Sequence, residues 1–488
     1  MGGRKKLPGN VKLWEFPGRA GPGVYQNEIS PGPDSQRQVT GSNRFVFVIP
    51  KNAGVYVIIL QLHSIPVFGL NGGLLKGKKG SSLGEMKPMQ GKEGLAMDLP
   101  LSGIRALELG HTVMGPTCGL VLADMGAEVI KIERAPRGDD TRRLMGFGQG
   151  FFPFYNRNKK SIVIDLKAPR GVDLVKKLTV TSDVFLENFG PGAVDRLGLG
   201  YEELSRLNPR LIYCSLKGFM PGPYEHRPAL DEVVQMMGGL AFMTGPPGQP
   251  LRAGASVVDI LGGSYGVVGI LTALYEREKT GKGQFVIASL YESTAFLMGQ
   301  FMALSALSGK PVPPMSKRVS TWAIYDIFKA KGGDDIFIGI TSDKQWKSFC
   351  GVFGRPDLGA DPKLQTNNDR IQQRPWLIPE FGKIFSEKTN GEIIRLCEEA
   401  GIPFAPIARP EDLFEDPQLN EGGSLVETSL PGGIRTKLPR IPLRVGSYEF
   451  DLRMNPPAAG EGTHEVLKSI NLSDEEIEQL KREGVLAF

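Results

Sequence analysis

The chain has 488 residues, of which 41% are hydrophobic and 23% are charged. This is the composition of a soluble globular protein with room for about two to four domains. The net charge of +5 is too small for this length to indicate a nucleic-acid-binding protein. Four cysteines without a C-x-x-C pair and four isolated histidines exclude a disulfide scaffold and argue against a metal site.

Most of the positive charge belongs to residues 1–96. This segment contains 13 Lys and Arg residues and 5 Asp and Glu residues, a net charge of +8. The remaining 392 residues contain 45 Lys and Arg residues and 48 Asp and Glu residues, a net charge of −3. The segment is broken by Gly and Pro residues and shows no sustained periodicity. We expect it to lie outside the main fold, either as an extension or as translated sequence upstream of a start at Met97.

Residues 45–70 form an apolar run within this segment, which raises the alternative of a signal anchor or a membrane span. The run is interrupted by polar or helix-breaking residues, among them Lys51, Gln61, His63 and Pro66. Because a span needs about 20 mostly apolar residues, we expect no membrane span. The run also begins too far from the N-terminus for a secretory signal. These features and the dispersed cysteines predict a cytoplasmic protein.

From Leu99 onward, strand and helix patterns alternate. A strand over Ile104–Leu109, a helix over Thr117–Met125 and a strand over Glu128–Glu133 indicate the beginning of a parallel, doubly wound sheet. The connecting loop lacks G-x-G-x-x-G, which argues against a dinucleotide site. The alternation continues through predicted elements at 161–166, 170–178, 184–187, 201–207, 211–215, 257–278 and 289–307.

A Pro- and Lys-rich break at 308–320 precedes a second region. Two predicted strands there flank the Gly332-Gly333 turn, and Ser342-x-x-Gln345 predicts a helix N-terminus. Near the end of the chain, Ser473-x-x-Glu476 predicts the capped N-terminus of another helix. We therefore expect an α/β protein in three parts: a large domain at 97–307, a smaller α+β domain at 318–375, and a C-terminal part at 376–488 that returns to the large domain.

Seven sequence strings, in this order and spacing, resemble the class III CoA-transferases, a family that includes formyl-CoA transferase and carnitine CoA-transferase. They are LSGIRALELGHTVMGP (101–116), GAEVIKIER (126–134), NRNKKSIVIDLK (156–167), VFLENFGPGAVDRLG (184–198), LIYCSLKGF (211–219), LDEVVQMMGG (230–239) and EREKTGKGQ (276–284). The strings FAPI (404–407) and EDPQL (415–419) fit as well. The resemblance covers residues 97–488. It implies a Rossmann-like large domain, an intertwined homodimer, and transfer of CoA from an acyl-CoA donor to a carboxylic acid acceptor.

Asp231 is the candidate catalytic residue. It precedes an apolar helical run, Val233–Met237, so a helix N-terminus would stabilise its anion and apolar neighbours would leave it poorly solvated. The residues alone also allow an ordinary helix-capping Asp. The resemblance implies a nucleophile that forms first a mixed anhydride with the acyl group and then a thioester with CoA. This route conserves the energy of the thioester and needs neither ATP nor a metal.

The resemblance also implies CoA-binding positions. The loop His111-Thr112-Val113 is expected near the CoA thiol, and five further residues match CoA contacts: Arg134, Lys167, Asn188, Arg196 and Lys217. Cations and main-chain N–H groups suit the phosphates of CoA. Ordinary structural roles remain as alternatives: a surface charge at Arg134, solvated strand ends at Lys167 and Lys217, a turn-shaping amide at Asn188, and an ion pair with Glu202 or Glu203 at Arg196.

Two departures from formyl-CoA transferase bear on the substrate. The loop position often held by Gln in that enzyme is Val113 here, and we find no glycine-run loop in the second region of the sequence. Lys317 and Arg318 stand in the corresponding place, either as contacts to an acidic acceptor or as a solvated basic loop. We expect a small dicarboxyl-CoA donor such as succinyl-CoA and a small carboxylic acid acceptor.

An acyl-CoA racemase of the same superfamily, with a His and an Asp as paired bases, is the nearest alternative. Asp259 matches its acid, but Leu230 stands where racemases carry a His, and His226 would need a different geometry. A non-catalytic CoA-binding or nucleic-acid-binding protein is the alternative from another class. The basic segment lacks regularly spaced aromatic residues, so we expect no nucleic acid partner.

Overall fold

A computed structural model describes residues 44–51, 54–61, 98–317 and 321–488. The chain divides into two compact units, Met1–Gly91 and Lys92–Phe488. In the first unit, strands β1 (Arg44–Lys51) and β2 (Gly54–Gln61) pair antiparallel. These strands occupy part of the apolar run for which a membrane span was the alternative. The other expectations for residues 1–96 lie outside the described residues, as does Arg318.

The second unit is built around a six-stranded parallel sheet. Its strands are β3 (Arg105–Leu109), β4 (Glu128–Arg134), β5 (Lys159–Ile164), β6 (Val184–Glu187), β7 (Ile212–Lys217) and β8 (Phe285–Ser289). They pair in the order β5-β4-β3-β6-β7-β8. The predicted α/β class with a parallel sheet is confirmed. The direction of winding reverses between β3 and β6, and such a reversal opens a crevice at the carboxyl ends of the strands.

The strand sequences explain why both faces of the sheet are covered. Ala106 packs into one hydrophobic core, and its neighbours Leu107 and Leu109 pack into the other. Residues that alternate in this way, all of them buried, are typical of a parallel strand between two layers of helices. The helices of this region are α1 (Met114–Asp124), α2 (Phe151–Tyr155), α3 (Pro169–Val180), α4 (Ala193–Arg196), α5 (Tyr201–Leu207), α6 (Asp231–Met237), α7 (Leu240–Thr244), α8 (Val257–Thr280) and α9 (Leu290–Ser308).

Helix α1 begins three residues before the predicted start at Thr117. The prediction placed Pro116 in a loop, but a proline is compatible with the first turn of a helix, where its missing N–H has no partner in any case. The earlier start brings the helix N-terminus directly after the His111-Thr112-Val113 loop, with Val113 as its N-cap residue.

Helix α8 is a long apolar helix of this domain. By length and composition it could cross a membrane, and 39% of its apolar window is buried. Its glycines let α1 approach closely: a Cβ built at Gly263 would lie 2.6 Å from the main-chain oxygen of Met114. The helix also packs on β7 and β8. These contacts set the position of its N-terminus in the fold.

The smaller domain is an antiparallel sheet covered by helices. Its strands are β9 (Ile324–Lys329), β10 (Asp335–Ile340) and β11 (Phe404–Pro406), in the order β11-β10-β9. Its helices are α10 (Asp343–Val352), α11 (Pro356–Ala360), α12 (Asn367–Gln372), α13 (Arg374–Ser386) and α14 (Asn390–Ala400). Of the capping box predicted for α10, the Ser342 half is present, because its hydroxyl accepts the N–H of Gln345 at 3.2 Å. The Gln345 side chain instead accepts the N–H of Thr341 at 2.8 Å.

One core holds this domain together. Phe349 stacks on Phe381 with ring centroids 4.6 Å apart, and the same core extends to Ile402. The boundary expected between residues 375 and 376 therefore falls inside α13, since that helix supplies Phe381 to the core. The sequence pattern could not show this, because the contact joins segments that are far apart in the chain.

The C-terminal region contains α15 (Pro417–Glu421), β12 (Leu425–Ser429), β13 (Arg435–Pro439), α16 (Thr463–Lys468) and α17 (Asp474–Arg482). Ser473 and Glu476 form the predicted capping box at the start of α17. Leu467 and Leu480 pack in the core of the large domain with Ile162. The chain thus ends against the parallel sheet.

Candidate active site

Asp231 is the first residue of α6, and only 7% of it is exposed. Its Oδ2 accepts the main-chain N–H groups of Val258 at 2.9 Å and Asp259 at 3.2 Å. Its Oδ1 accepts Gln235 Nε2 at 2.6 Å and lies 3.5 Å from Arg252 Nη2. The carboxylate is therefore nearly buried, and each of its two oxygens accepts hydrogen bonds within the protein.

The helix that stabilises Asp231 differs from the one expected. The sequence predicts that the aspartate sits at the start of its own helix, and this is confirmed, but Leu230 is the N-cap residue there. The side chain leaves α6 and reaches the first turn of α8, whose N–H groups it accepts. Because the first N–H groups of a helix lack partners within that helix, they form an anion site for a carboxylate from elsewhere. The capping alternative for α6 is thus wrong.

Two further ionisable side chains, those of Asp259 and Tyr155, lie close enough to interact with the charge of Asp231. Burial, followed by the charge of Asp231, raises the pKa of Asp259 to about 7, with Arg252 opposing the shift. Burial, followed by the charges of Asp259 and Asp231, raises the pKa of Tyr155 to about 12. At neutral pH, Tyr155 is therefore a neutral hydroxyl, and Asp259 is close to its midpoint of protonation.

Tyr155 connects this centre with the loop after β3. It packs with Val113 and Leu120 in a small hydrophobic cluster, and Val113 is 1% exposed. Thr112, the residue before, has a φ of 65°, which a β-branched residue rarely adopts. Strain of this kind persists where the surroundings determine the backbone, and it is concentrated at functional sites.

The loop after β3 is held to the end of β6. The main-chain N–H of His111 donates to Asn188 Oδ1, and Asn188 Nδ2 donates to the main-chain oxygen of His111, both at 2.9 Å. The imidazole lies against Phe189 with centroids 5.5 Å apart. Desolvation by burial lowers the pKa of His111, so its ring is neutral at physiological pH.

A buried ion-pair network supports the same loop from below. Lys131 donates to the main-chain oxygen of Gly110 at 2.7 Å and pairs with Glu108 at 3.2 Å and Asp139 at 2.9 Å. Glu108 also pairs with the buried Lys159 at 2.7 Å, and desolvation lowers the pKa of Lys159 to about 8. Two lysines and two carboxylates balance in charge, which makes their burial possible.

A cavity of about 300 Å³ opens at the carboxyl ends of β3 and β4. His111, Thr112 and Arg134 line it, with Asp139 and Phe189 on the other sides. Arg134 is exposed, and within the described part of the chain its guanidinium has no ion-pair partner. The crevice therefore offers a free cation beside a loop rich in main-chain donors.

Lys217 lies at the end of β7 in a second cavity of about 590 Å³. It pairs with the buried Glu187 at 2.8 Å and donates to the main-chain oxygen of Phe189 at 2.9 Å. The alternative of a simple solvated strand end is thus wrong for Lys217. His226 lines the same cavity, pairs with Glu225 at 3.1 Å, and has 87% of its side chain exposed.

The candidate residues separate into two groups. His111, Thr112, Asn188, Arg134 and Lys217 gather at the carboxyl edge of the sheet, where β3, β4, β6 and β7 end. Lys167 and Arg196 form the second group and are exposed: the main-chain N–H of Lys167 donates to Asp165 just after β5, and Arg196 lies beside Gly192, which lines the cavity of Lys217.

Several residues of the site escaped the sequence analysis. Gln235 stands four residues after Asp231, and this i, i+4 spacing on a helix could have indicated the contact. Arg252 lies in the loop before α8, and nothing in the local pattern connects it with Asp231. Tyr155 and the N–H of Val258 are likewise brought to the site only by tertiary packing. Among residues 98–317 and 321–488, no group of three or more His, Cys, Asp or Glu residues could hold a metal ion.

Comparison with known proteins places these features in a family. A sequence model of CoA-transferase family III matches residues 101–463. The succinyl-CoA:glutarate CoA-transferase of Mus musculus is 34% identical over 394 residues, which cover 79% of this chain and 90% of that protein. The formyl-CoA:oxalate CoA-transferase of Bradyrhizobium diazoefficiens is 32% identical, covering 80% of this chain and 98% of that protein.

Two more comparisons agree. The acetyl-CoA:oxalate CoA-transferase of Acetobacter aceti is 36% identical over 357 residues, which cover 72% of this chain and 90% of that protein. Among solved structures, a CAIB/BAIF family protein from Brucella suis superimposes with a TM-score of 0.68 at 31% sequence identity. That match covers 77% of this chain and all of the Brucella protein.

Proposed function

The chain belongs to CoA-transferase family III, and from this membership we propose that it moves CoA from an acyl-CoA thioester to a free carboxylic acid with Asp231 as the nucleophile. The observation that carries this proposal is the environment of Asp231. Its carboxylate is 7% exposed, and its two oxygens meet different partners: helix N–H groups at Oδ2, and Gln235 and Arg252 at Oδ1. These partners hold a nearly dry carboxylate in one orientation, as attack on a bound thioester requires.

The first half of the reaction loads CoA onto the enzyme. An oxygen of Asp231 attacks the thioester carbonyl, the C–S bond breaks, and CoA leaves as a thiolate. The thiolate then attacks the aspartyl carbonyl of the mixed anhydride. The C–O bond breaks, the donor acid leaves as a carboxylate, and an aspartyl–CoA thioester remains. Since each step exchanges one activated acyl bond for another, the energy of the thioester is conserved.

The second half repeats these steps in the reverse order. The acceptor carboxylate attacks the aspartyl–CoA carbonyl, and the CoA thiolate leaves. The thiolate attacks the acceptor carbonyl of the new anhydride, which yields the product thioester and returns Asp231 as a carboxylate. The two N–H groups of Val258 and Asp259 are placed to stabilise the negative charge that develops on Oδ2 in each attack at the aspartyl carbon.

CoA is proposed to lie along the carboxyl edge of a Rossmann-like sheet, where the strand order reverses. The His111-Thr112 loop would receive the thiol end, and the main chain of Val113 would contribute because its side chain is buried. Arg134 suits a phosphate, since it is exposed in the crevice. Asn188 and Lys217 shape the same edge through the main chain of His111 and Phe189. Lys167 and Arg196 remain proposed contacts for outer parts of CoA.

The substrates follow from the chemistry and from the relatives' names. Those relatives are named for succinyl-CoA with glutarate, and for formyl-CoA or acetyl-CoA with oxalate. We propose a small dicarboxyl-CoA donor such as succinyl-CoA and a small carboxylic acid acceptor. The exposed Lys317 remains a proposed contact to the acceptor. We also propose a homodimer and a cytoplasmic location.

A test combines a substrate panel with a trapped intermediate. We expect new CoA esters, detected by mass spectrometry, when succinyl-CoA is offered with short dicarboxylic acids. With the donor alone, the peptide that contains Asp231 should gain the mass of CoA minus one water, because one aspartyl oxygen leaves with the donor acid, and hydroxylamine should release the CoA. Asp231→Asn should lose transfer by at least roughly 10³-fold. Undiminished transfer by this variant would overturn the proposal.

A further inference from the structure

Arg252 lies beside Asp231 in the loop between α7 and α8. Its Nε donates to the main-chain oxygen of Ala253 at 3.1 Å, and its Nη2 lies 3.5 Å from Asp231 Oδ1. Among the residues described, Asp231 is its one ion-pair partner, and 25% of the Arg252 side chain is exposed. A guanidinium has five N–H donors, so most of those on Arg252 remain available to a ligand.

The charge balance at this position changes during the proposed reaction. In the resting enzyme, the positive charge of Arg252 faces the negative charge of Asp231. In the aspartyl–CoA thioester, the Asp231 side chain is a neutral acyl group, so Arg252 loses its anionic partner. At that stage a free acid is present as an anion, either the donor acid that leaves or the acceptor acid that enters.

The positions of the two Asp231 oxygens indicate where that anion lies. Oδ2 accepts two N–H groups from the first turn of α8, as the carbonyl oxygen of an acyl group would while charge develops on it. Oδ1 is then the oxygen exchanged for the sulfur of CoA or for an oxygen of the acceptor. Arg252 approaches Oδ1, the position at which the entering and leaving groups are exchanged, so an acid that bonds to the aspartyl carbon comes within reach of the guanidinium.

Two other groups face this position, and neither replaces the substrate anion. Tyr155 is a neutral hydroxyl, because its pKa is raised to about 12 by burial and by the two aspartates. In the resting enzyme, burial and the charge of Asp231 raise the pKa of Asp259 to about 7. Among the described residues Asp259 forms no ion pair with Arg252, so Asp231 is the partner whose charge the guanidinium loses at the thioester stage.

We propose that Arg252 is the binding residue for the carboxylate of the substrate acid at the aspartyl–CoA thioester stage, where it exchanges its contact with Asp231 for one with the acid. This inference rests on the proposed function and adds the site of the acid to it. In the step concerned, an oxygen of the acid bonds to the aspartyl carbon, the C–S bond breaks, and the electron pair leaves with the CoA thiolate. Arg252 keeps its proton throughout.

The test compares Arg252→Gln, Arg252→Lys and the wild type with succinyl-CoA as donor and glutarate as acceptor. Loss of the charged, forked contact should raise the acceptor KM of R252Q roughly 10- to 100-fold. The donor KM should stay within about 2-fold, and the CoA adduct should still form from donor alone. R252K should fall between the two, because an ammonium keeps the charge but loses the fork.

A matched control removes an arginine of similar exposure far from the site. Arg105→Gln breaks an ion pair with Glu128 at 2.6 Å, with 20% of the arginine side chain exposed, at the amino end of β3. It should leave both KM values unchanged. An effect of loosened structure alone would change the donor and acceptor KM values together in the R252 variants.

The outcomes separate this inference from the proposed function. If the wild type forms neither new CoA esters nor a CoA adduct across the panel, the proposed function fails. If the wild type transfers CoA but R252Q keeps the wild-type acceptor KM, or if donor and acceptor KM rise equally, the role of Arg252 fails alone. Should R252Q not fold, the acceptor KM of R252K decides: a selective rise supports the role, and a wild-type value contradicts it.

Discussion

Asp231 and Asp259 are two neighbouring carboxyl groups with different partners. Asp231 accepts two main-chain N–H groups and a glutamine amide, and it faces Arg252. For Asp259, burial and then the adjacent charge of Asp231 raise the pKa to about 7. Asp259 is therefore able to carry a proton near neutral pH.

Asp259→Asn tests this difference through stability. A carboxyl whose pKa is higher in the folded than in the unfolded protein favours folding at low pH, and this contribution is lost as pH rises through about 7. The unfolding free energy of the variant minus that of the wild type should therefore be about 2 kcal/mol larger at pH 8 than at pH 5. Urea unfolding at the two pH values measures it. An equal difference at both values would show that Asp259 does not titrate in this range.

The residues of the site differ in how far the sequence could reveal them. Asp231 and the loop at His111 stand in strings that resemble a known family, and the start of a helix at Asp231 is visible in the apolar pattern after it. The donors at Val258 and Asp259, however, lie on a helix that follows 27 residues later in the chain. Arg252 has no pattern of its own. Such contacts arise from packing between elements, which local periodicity does not describe.

Helix α8 links packing to chemistry at the scale of elements. Its glycines allow α1 to lie against it, and α1 follows directly after the His111-Thr112-Val113 loop. Its first turn holds Asp231. One helix–helix contact therefore sets the distance between the nucleophile and the loop proposed to receive the CoA thiol. By length and composition α8 could also cross a membrane, and 39% of its apolar window is buried.

Gly263→Ala should separate the two helices. The added Cβ would lie 2.6 Å from the main-chain oxygen of Met114 and 3.0 Å from Thr117 Cβ, so the backbone must move. We expect a loss of about 1–3 kcal/mol of unfolding free energy and a marked fall in kcat.

Gly299→Ala in α9 is the matched control. A Cβ built at Gly299 has no heavy atom within 4 Å of it. Alanine should therefore stabilise the protein by about 0.5–1 kcal/mol through helix propensity and leave kcat unchanged. Denaturant unfolding and steady-state rates measure both variants. An equal effect of the two substitutions would contradict the close-packing role of Gly263.

For the whole molecule, the division of charge matters more than its sum. Residues 97–488 carry a net charge of −3, so the anionic CoA is not attracted by a generally basic surface. Single cations must act where they stand, and Arg134 and Arg252 are the ones that the fold places at the crevice and beside the nucleophile. The sheet was predictable because its strands alternate with helices in the sequence. The extent of the smaller domain was not, because Phe381 joins its core from a helix placed beyond the expected boundary.

Oxygen transfer tests the central claim that Asp231 is the nucleophile. When the acceptor acid is labelled with oxygen-18 in its carboxylate, one labelled oxygen remains on the aspartyl carbon after the product thioester has formed. After a single turnover, mass spectrometry of the peptide that contains Asp231 should therefore show the mass increase that results when one oxygen-16 is replaced by oxygen-18. With the labelled acid but without a CoA donor, the peptide should stay unlabelled. Product formation without any label in this peptide would contradict the covalent role of Asp231.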